Sequence, residues 1–366
     1  MVKRVAGRAV LVLALFSLVL SAQEQEAPVF KSTFPEAIKT IFDGLAKTNA
    51  SNGIYNIQYV NSFFFPGEQS VFVNLLFTAD LDAETTELKD KAKAKHDEFV
   101  ASEQKKIEEF NKKAKKEEDK KTFMPPTLAY PPAFHVMYVR FVKDGNIIEE
   151  HRANIPFDDQ KTEYYSFGIV MNPGDFDVYM VVNRTDNLQY GTRIMKLTVP
   201  QLTITDILKP KAKLEISTPV FYKEDYKQLT QAAGMEFQVK KNSYVFNPQN
   251  SEYFPYIGAA FQFKASDTPI LSFFISGIVM VQGENPCDIT IKMEIRRGKD
   301  SVLKFGELKQ KTPMFWQPIE FTKAEKDFKK TPIPAGDYTL KIELKDNNNP
   351  GDKGKGEADI PFKISE

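Results

Sequence analysis

One segment that occurs twice constrains this chain more than any other feature. Pro173-Gly174-Asp175-Phe176-Asp177-Val178-Tyr179-Met180-Val181 matches Ala335-Gly336-Asp337-Tyr338-Thr339-Leu340-Lys341-Ile342 in register. In both, a Gly makes a sharp corner and an alternating run follows, the period of a half-buried strand. An Asp/Asn-rich loop comes next, at Asp186-Asn187 in the first copy and Asp346-Asn347-Asn348-Asn349-Pro350-Gly351-Asp352 in the second. The matching closing strands are Leu197-Thr198-Val199-Pro200 and Ala358-Asp359-Ile360-Pro361. Upstream, Val139-Arg140-Phe141-Val142-Lys143-Asp144-Gly145 and Ile291-Lys292-Met293-Glu294-Ile295-Arg296-Arg297-Gly298 extend the match more weakly. Two copies of one turn, strand, loop and strand predict two domains of one type.

The rest of the chain agrees. Residues 33–47 place apolar side chains at three-to-four spacing behind Pro35, a short amphipathic helix. Beyond it, runs rich in β-branched and aromatic residues at 54–60, 71–77, 134–142, 147–155, 164–170, 176–182 and 192–199 read as seven strands, with Pro66-Gly67 as one of the turns. After Leu208-Lys209-Pro210-Lys211, strand-like runs resume at 213–216, 235–239, 259–264, 271–281, 289–295, 302–308, 315–321, 338–344 and 358–364. The predicted fold is all-β: two immunoglobulin-like β-sandwich domains at 50–205 and 206–366, a helix within an N-terminal segment at 23–49, and a long charged helical insertion in the first domain.

An aromatic at the start of a strand behind such a corner caps the core, and a Tyr there bonds back to the backbone in many sandwiches. Tyr338 is placed to do this, while Phe176 has no hydroxyl. The Gly-Asp-aromatic corner, the alternating strand and a closing strand ending in Val-Pro or Ile-Pro resemble the β-sandwich (immunoglobulin-like) modules of exported bacterial proteins with GWxTD or von Willebrand A-related domains. The resemblance covers the two sandwich repeats and implies fold and export. No Gly-Trp-x-Thr-Asp occurs, and no functional residue carries over.

Export is predicted independently. Lys3, Arg4 and Arg8 precede an apolar run at 9–20 that ends at Ser21-Ala22, the pattern of a signal peptide at 1–22. That run is too short to cross a bilayer, so no membrane span is expected after cleavage, and the product belongs in the periplasm, at the surface or outside. Its removal leaves 46 basic against 49 acidic side chains from the 49 of each in the full chain. The signs are interleaved, which excludes nucleic acid as a partner. The one Cys, Cys287, permits no internal disulfide.

Charge concentrates in one place. Residues 84–121 contain no Gly or Pro and alternate in sign, which predicts helix. Leu88, Ala92, Phe99, Val100, Ile107, Phe110 and Ala114 form a thin apolar stripe. A helix of that length is about 57 Å long at about 1.5 Å per residue. The Pro-containing return at 122–132 reaches only about 34 Å. The helix is therefore expected to lie along the sandwich or to break near Ala101-Ser102 into an antiparallel pair. Phe99, Val100, Ile107 and Phe110 are the candidate partner-binding residues, against the alternative that the stripe packs on the protein's own sheets.

The catalytic inventory is sparse. His96, His135 and His151 have no metal-ligand spacing, and Glu149-Glu150-His151 alternates faces on a strand. Cys287 has no activating neighbour, and Asp158-Asp159 sits at a turn. The Asp/Asn-rich loops offer oxygens to calcium but equally serve as ordinary turns. Phe63-Phe64-Phe65, Tyr164-Tyr165 and Phe273-Phe274 put an aromatic on each sheet face, as core filler or as sugar-stacking platforms. No cofactor or metal is expected. The expected function is non-catalytic binding or scaffolding in the bacterial cell envelope, contacting a protein partner through the helical insertion or the sandwich loops; the alternative is carbohydrate binding, with an enzyme of unrecognised type behind both.

Overall fold

The computed structural model describes residues 30–366 except 115, 158–160, 210–212, 224–225, 230–238, 247–250, 258–260, 282–286, 325–329 and 350. The leader at 1–22, Asp158-Asp159 and most of the strand expected at 235–239 lie outside the described residues. Helix α1 (Glu36–Thr48) starts behind Pro35 and ends at Asn49, whose φ of 50° is left-handed.

Among the described residues, seven strands follow, interrupted by one long helix. They are β1 (Gln58–Pro66), β2 (Val71–Thr78), then past α2 (Asp82–Lys113) β3 (His135–Lys143), β4 (Asn146–Ile155), β5 (Tyr165–Met171), β6 (Gly174–Arg184) and β7 (Tyr190–Val199). One sheet contains β1-β2-β5 and the other runs β4-β3-β6-β7, all antiparallel. Val73, Leu75, Phe77 and Phe167 of the first sheet share a core with Met137, Val139, Val178 and Met180 of the second. This is a β-sandwich. The strand expected at 54–60 begins four residues late, because Gly53 bridges Gly191 and the Ile54 amide donates to the Tyr190 carbonyl, which ties that stretch to the edge of β7.

The second half carries shorter strands. These are β8 (Glu215–Ile216), β9 (Val220–Tyr222), β10 (Lys227–Gln228), β11 (Val239–Lys241), β12 (Tyr244–Phe246), β13 (Ser251–Tyr253), β14 (Phe261–Lys264) and β15 (Ile270–Ser276). Then come β16 (Ile289–Arg297), β17 (Asp300–Lys304), β18 (Leu308–Gln310), β19 (Met314–Pro318), β20 (Thr322–Ala324), β21 (Lys330–Pro332), β22 (Gly336–Asp346) and β23 (Lys355–Ser365). The sheet β14-β23-β22-β16-β17 faces β19-β15-β8 across Ile291, Met293, Leu340, Ile342, Phe273 and Phe315. The single strand expected at 302–308 is two: β17 pairs one end of β16 and β18 the other.

The repeat is real down to its register. Val142 pairs with Asp177 as Arg296 pairs with Thr339, so β3-β6-β7 and β16-β22-β23 correspond strand for strand, with β17 and β18 together taking the place of β4. Each hairpin slips register at the same point, Phe141/Val142 and Ile295/Arg296. Lys143 and Arg297 then occupy equivalent positions, and each holds its cation over the corner aromatic, 5.7 Å from the Phe176 ring centre and 6.0 Å from that of Tyr338. Gly174 and Gly336 have φ of 147° and 155°, and a Cβ on either would meet that same cation. One detail of the sequence match changes. Phe176 pairs with Leu197 and Tyr338 with Phe362, so Leu197 corresponds to Phe362 and not to Ala358. The second loop is longer because a 3-10 turn, Asp352–Gly354, is built into it.

The two copies differ on their outer faces, and the sequence shows why. In the first, Val136, Tyr138 and Val181 are apolar because Ile38, Phe42 and Leu45 of α1 cover them. The equivalent positions in the second are Thr290, Lys292 and Glu343, where no α1 counterpart lies among the described residues.

The sheet β1-β2-β5 is buried on both sides. β11 hydrogen-bonds β5, and Phe63, Phe65, Phe72 and Leu76 pack against Tyr164, Tyr222, Tyr244 and Tyr253. β2 accordingly reads as the nearly unbroken apolar run Val71-Phe72-Val73-Asn74-Leu75-Leu76-Phe77, as a doubly covered strand requires.

Candidate functional site

The charged insertion is one continuous helix anchored at its base. α2 runs from Asp82 to Lys113 without a break at Ala101-Ser102 and stops eight residues short of Lys121. Its 32 residues span about 48 Å. The return from Ala114 to Ala133 reaches about 60 Å when extended. A straight arm therefore closes on its own base, and neither expected arrangement is needed. The helix ends early because Asn111 turns the chain: its Oδ1 accepts from the Lys121 amide at 2.7 Å and its Nδ2 donates to the Lys121 carbonyl at 2.8 Å. Further back, His96 Nε2 donates to the Pro126 carbonyl at 2.8 Å.

Two carboxylates in the first turn fix the arm to the sandwich, where the helix dipole favours them. Asp82 accepts from the Thr162 hydroxyl at 2.7 Å and the Thr162 amide at 3.0 Å, with Lys241 Nζ 3.4 Å away. Glu84 accepts from His135 Nε2 at 2.8 Å and from Arg184 Nη1 at 2.7 Å. Arg184 also grips Asp186 with two bonds, at 2.6 and 2.8 Å. Burial pushes both arm carboxyls up, but their bonds and the neighbouring cations outweigh it and hold each below its ordinary value. Burial also holds the His135 imidazole below its usual value, against the pull of Glu84. Thr85 and Leu88 are the buried side chains of α2, one turn in.

Past that turn the stripe divides. Val100 and Ile107 are half-buried on the face that carries His96 and Asn111, which the return segment engages. Phe99 is 51% and Phe110 45% exposed. Lys121 Nζ sits 4.4 Å from the Phe110 ring centre. The arrangement offers an elongated, rigidly based surface with two aromatic anchors and no reactive group.

Elsewhere the candidate chemistry is engaged. The Cys287 thiol is buried and pushed up to about 11, by burial first and then by Asp346 and Asp288. Glu150 pairs with Arg140 at 2.7 Å on one face of β4, while His151 lies between Phe141 and Phe167 on the other. Asp346 is buried, and its carboxylate accepts from the Val279 and Asn348 amides at 2.8 and 2.9 Å, the work of a turn residue. Phe63, Phe65, Tyr164, Tyr165 and Phe273 are buried, with Phe64 and Phe274 packed partly against the cores. Both sheet faces are covered there, so these pairs are core and not sugar platforms. A groove of about 550 Å³ crosses the open face of the second repeat, and its Lys292 and Lys309 share Glu307 at 3.6 and 3.5 Å. Among the described residues no helix is long and apolar enough to cross a membrane.

No family model and no curated protein matches the chain. The chain is similar in structure to the BSP domain of a biofilm-associated protein, at 7% identity and a TM-score of 0.17 over 83% of this chain and 59% of that one. A second likeness is to SGBP-B of the Bacteroides ovatus mixed-linkage glucan utilization locus, in complex with a mixed-linkage heptasaccharide, at 12% identity and a TM-score of 0.14 over 63% of this chain and 60% of that one. The chain spans less than two thirds of either, and likenesses at these TM-scores carry no argument.

Proposed function

We propose that this protein is an exported, non-catalytic binding or scaffolding component of the bacterial cell envelope, and that α2 meets its protein partner. The observation that carries the reading is the arm: a 32-residue helix clamped at its base by Asp82 and Glu84, with the Phe99 and Phe110 rings about half exposed along it. Aromatic anchors on a rigid support are what a docking surface needs. Export is supported by the leader pattern at 1–22. The absence of catalysis is supported by the protonated Cys287 thiol and by His135 and His151, which are held in structural contacts.

Capture from envelope extract tests the arm. A protein retained by the wild type and lost with F99A/F110A, at unchanged melting temperature, supports the reading; equal capture by both refutes it. Carbohydrate binding is the second reading, and one observation favours it: exposed Tyr226 lies 6.2 Å from the half-buried Trp316 and 5.7 Å from buried Tyr253, an exposed aromatic ring backed by a packed cluster. Retention on insoluble polysaccharide that is lost in Tyr226→Ala would support it.

A further inference from the structure

Phe99, Glu103, Lys106 and Phe110 share one flank of α2, beside the face engaged by the return segment. Their spacings of four, three and four are those of successive core positions in a coiled coil. At 3.6 residues per turn they fall within about 60° of one another, and the two phenylalanines stand about 16 Å apart along the axis. Both rings are about half exposed. Glu103 and Lys106 lie between them and ion-pair at 2.6 Å.

The order apolar, acidic, basic, apolar is symmetric about a point between Gln104 and Lys105, with opposite charges at mirrored positions. Lay two such arms antiparallel and every layer is complementary: Phe99 meets Phe110 of the second copy, Glu103 meets its Lys106, Lys106 its Glu103, and Phe110 its Phe99. A parallel pair would instead set Glu103 against Glu103 and Lys106 against Lys106. Charged residues at core positions weaken such a pair but specify its register and direction. The surface is therefore complementary to itself in one orientation only.

We infer that the arm's partner is a second copy of this chain, and that two α2 helices pair antiparallel through this stripe into a two-fold dimer. The inference rests on the arm reading above and names its occupant. The contact is small, with two aromatic anchors per copy, so the dimer is weak and concentration-dependent.

Sedimentation of the purified protein should show a monomer giving way to dimer as concentration rises. The dimer should be lost in F99A/F110A and in either Glu103→Lys or Lys106→Glu, and recovered in E103K/K106E, which restores both cross-pairs. Orientation is read by single-cysteine variants, since buried Cys287 leaves the new thiol as the reactive one. A mixture of Phe99→Cys and Phe110→Cys should form an intermolecular disulfide under diamide, at least tenfold faster than either variant alone. A monomer at every concentration up to about 1 mM, the weak end of specific association, overturns the inference. So does failure of E103K/K106E to recover the dimer, or crosslinking of Phe99→Cys alone as fast as the mixture. None of these results touches the arm reading itself, which stands or falls on capture from envelope extract.

Discussion

Replacing Tyr338 with Phe removes one hydroxyl and leaves the ring, its packing against Phe362 and the cation of Arg297 in place. The hydroxyl donates to the Pro334 carbonyl at 2.6 Å, four residues back across the corner. The ring is buried, so its packing persists when the hydroxyl is gone. A neutral hydrogen bond contributes about 1 kcal/mol net, and Pro334 is exposed, so its carbonyl regains a partner from water and the expected cost stays at about 1 kcal/mol. For a unit of this size that lowers the melting temperature by about 2–4 °C per kcal/mol. Urea unfolding is the direct assay, and the protein's one Trp, Trp316, lies in the second half and reports on it. The midpoint should fall with no change in slope, because the surface exposed on unfolding is the same. The reciprocal change, Phe176→Tyr, places a hydroxyl where the Asn172 carbonyl is the counterpart of that of Pro334, and should be neutral or stabilising. Unchanged stability in Tyr338→Phe would refute the corner as a source of stability; destabilisation by Phe176→Tyr would refute the equivalence of the two corners.

Acidification should loosen the arm's base. His135 titrates below its ordinary value of about 6.5 in the fold, so its contribution is complete above that pH and is lost as pH falls; Asp82 and Glu84, also held low, add losses as pH falls below about 4.5. Melting temperature should therefore decline from pH 7 to pH 4, and His135→Asn should flatten the upper part of that decline; a parallel curve refutes the assignment. Asn111→Ala removes both bonds to Lys121 and should raise hydrogen exchange at the Lys121 amide while leaving the melting of the sandwich unchanged, at a local cost of about 1–2 kcal/mol. Arg140→Ala removes the guanidinium that pairs with Glu150 at 2.7 Å and lies 4.6 Å from the Phe42 ring centre, and should cost about 3 kcal/mol by chemical denaturation.

How much of the molecule is legible in the sequence follows from what each signal encodes. The two corners are readable because Gly-Asp-aromatic before an alternating strand is local chemistry, and the hydroxyl bond of Tyr338 follows from one side chain. The closing strand misaligns because Ile360-Pro361 resembles Val199-Pro200, while the register is decided by the partner strand and by the extra 3-10 turn ahead of it. The arm is shorter than its charge pattern implies, because alternating Lys and Glu continue from the helix into the return, and the stop depends on Asn111 reaching Lys121, ten residues on. The aromatic pairs at 63–65, 164–165 and 273–274 predict rings on alternate faces, and the local pattern alone does not decide between core filler and a solvent-facing ring. None is fully exposed. For the sheet that carries Phe63 and Phe65, a second layer of tyrosines from 222–253 covers the far face, a contact invisible to local periodicity.

The two outer faces supply the strongest physical link between sequence and architecture. Val136, Tyr138, Tyr179 and Val181 in the first repeat correspond by register to Thr290, Lys292, Lys341 and Glu343 in the second. The central pairing, β3 with β6 and β16 with β22, has the same register in both, so that pairing cannot account for the difference. What differs is the layer above: α1 covers the first face, and charge keeps the second in water. If that is the cause, removing the apolar side of α1 should expose a sticky sheet. Phe42→Asp is then expected to lower stability by several kcal/mol and to promote aggregation, because it deletes a buried ring and sets a carboxylate over Val136 and Tyr138, a loss that the neighbouring Arg140 offsets only in part. The matching change on the second repeat, Lys292→Tyr, should leave stability within about 0.5 kcal/mol, as an exposed substitution does. Equal effects of the two changes on unfolding midpoints would show that the faces are not differentiated by cover, and the link between α1 and the apolar pattern would fail.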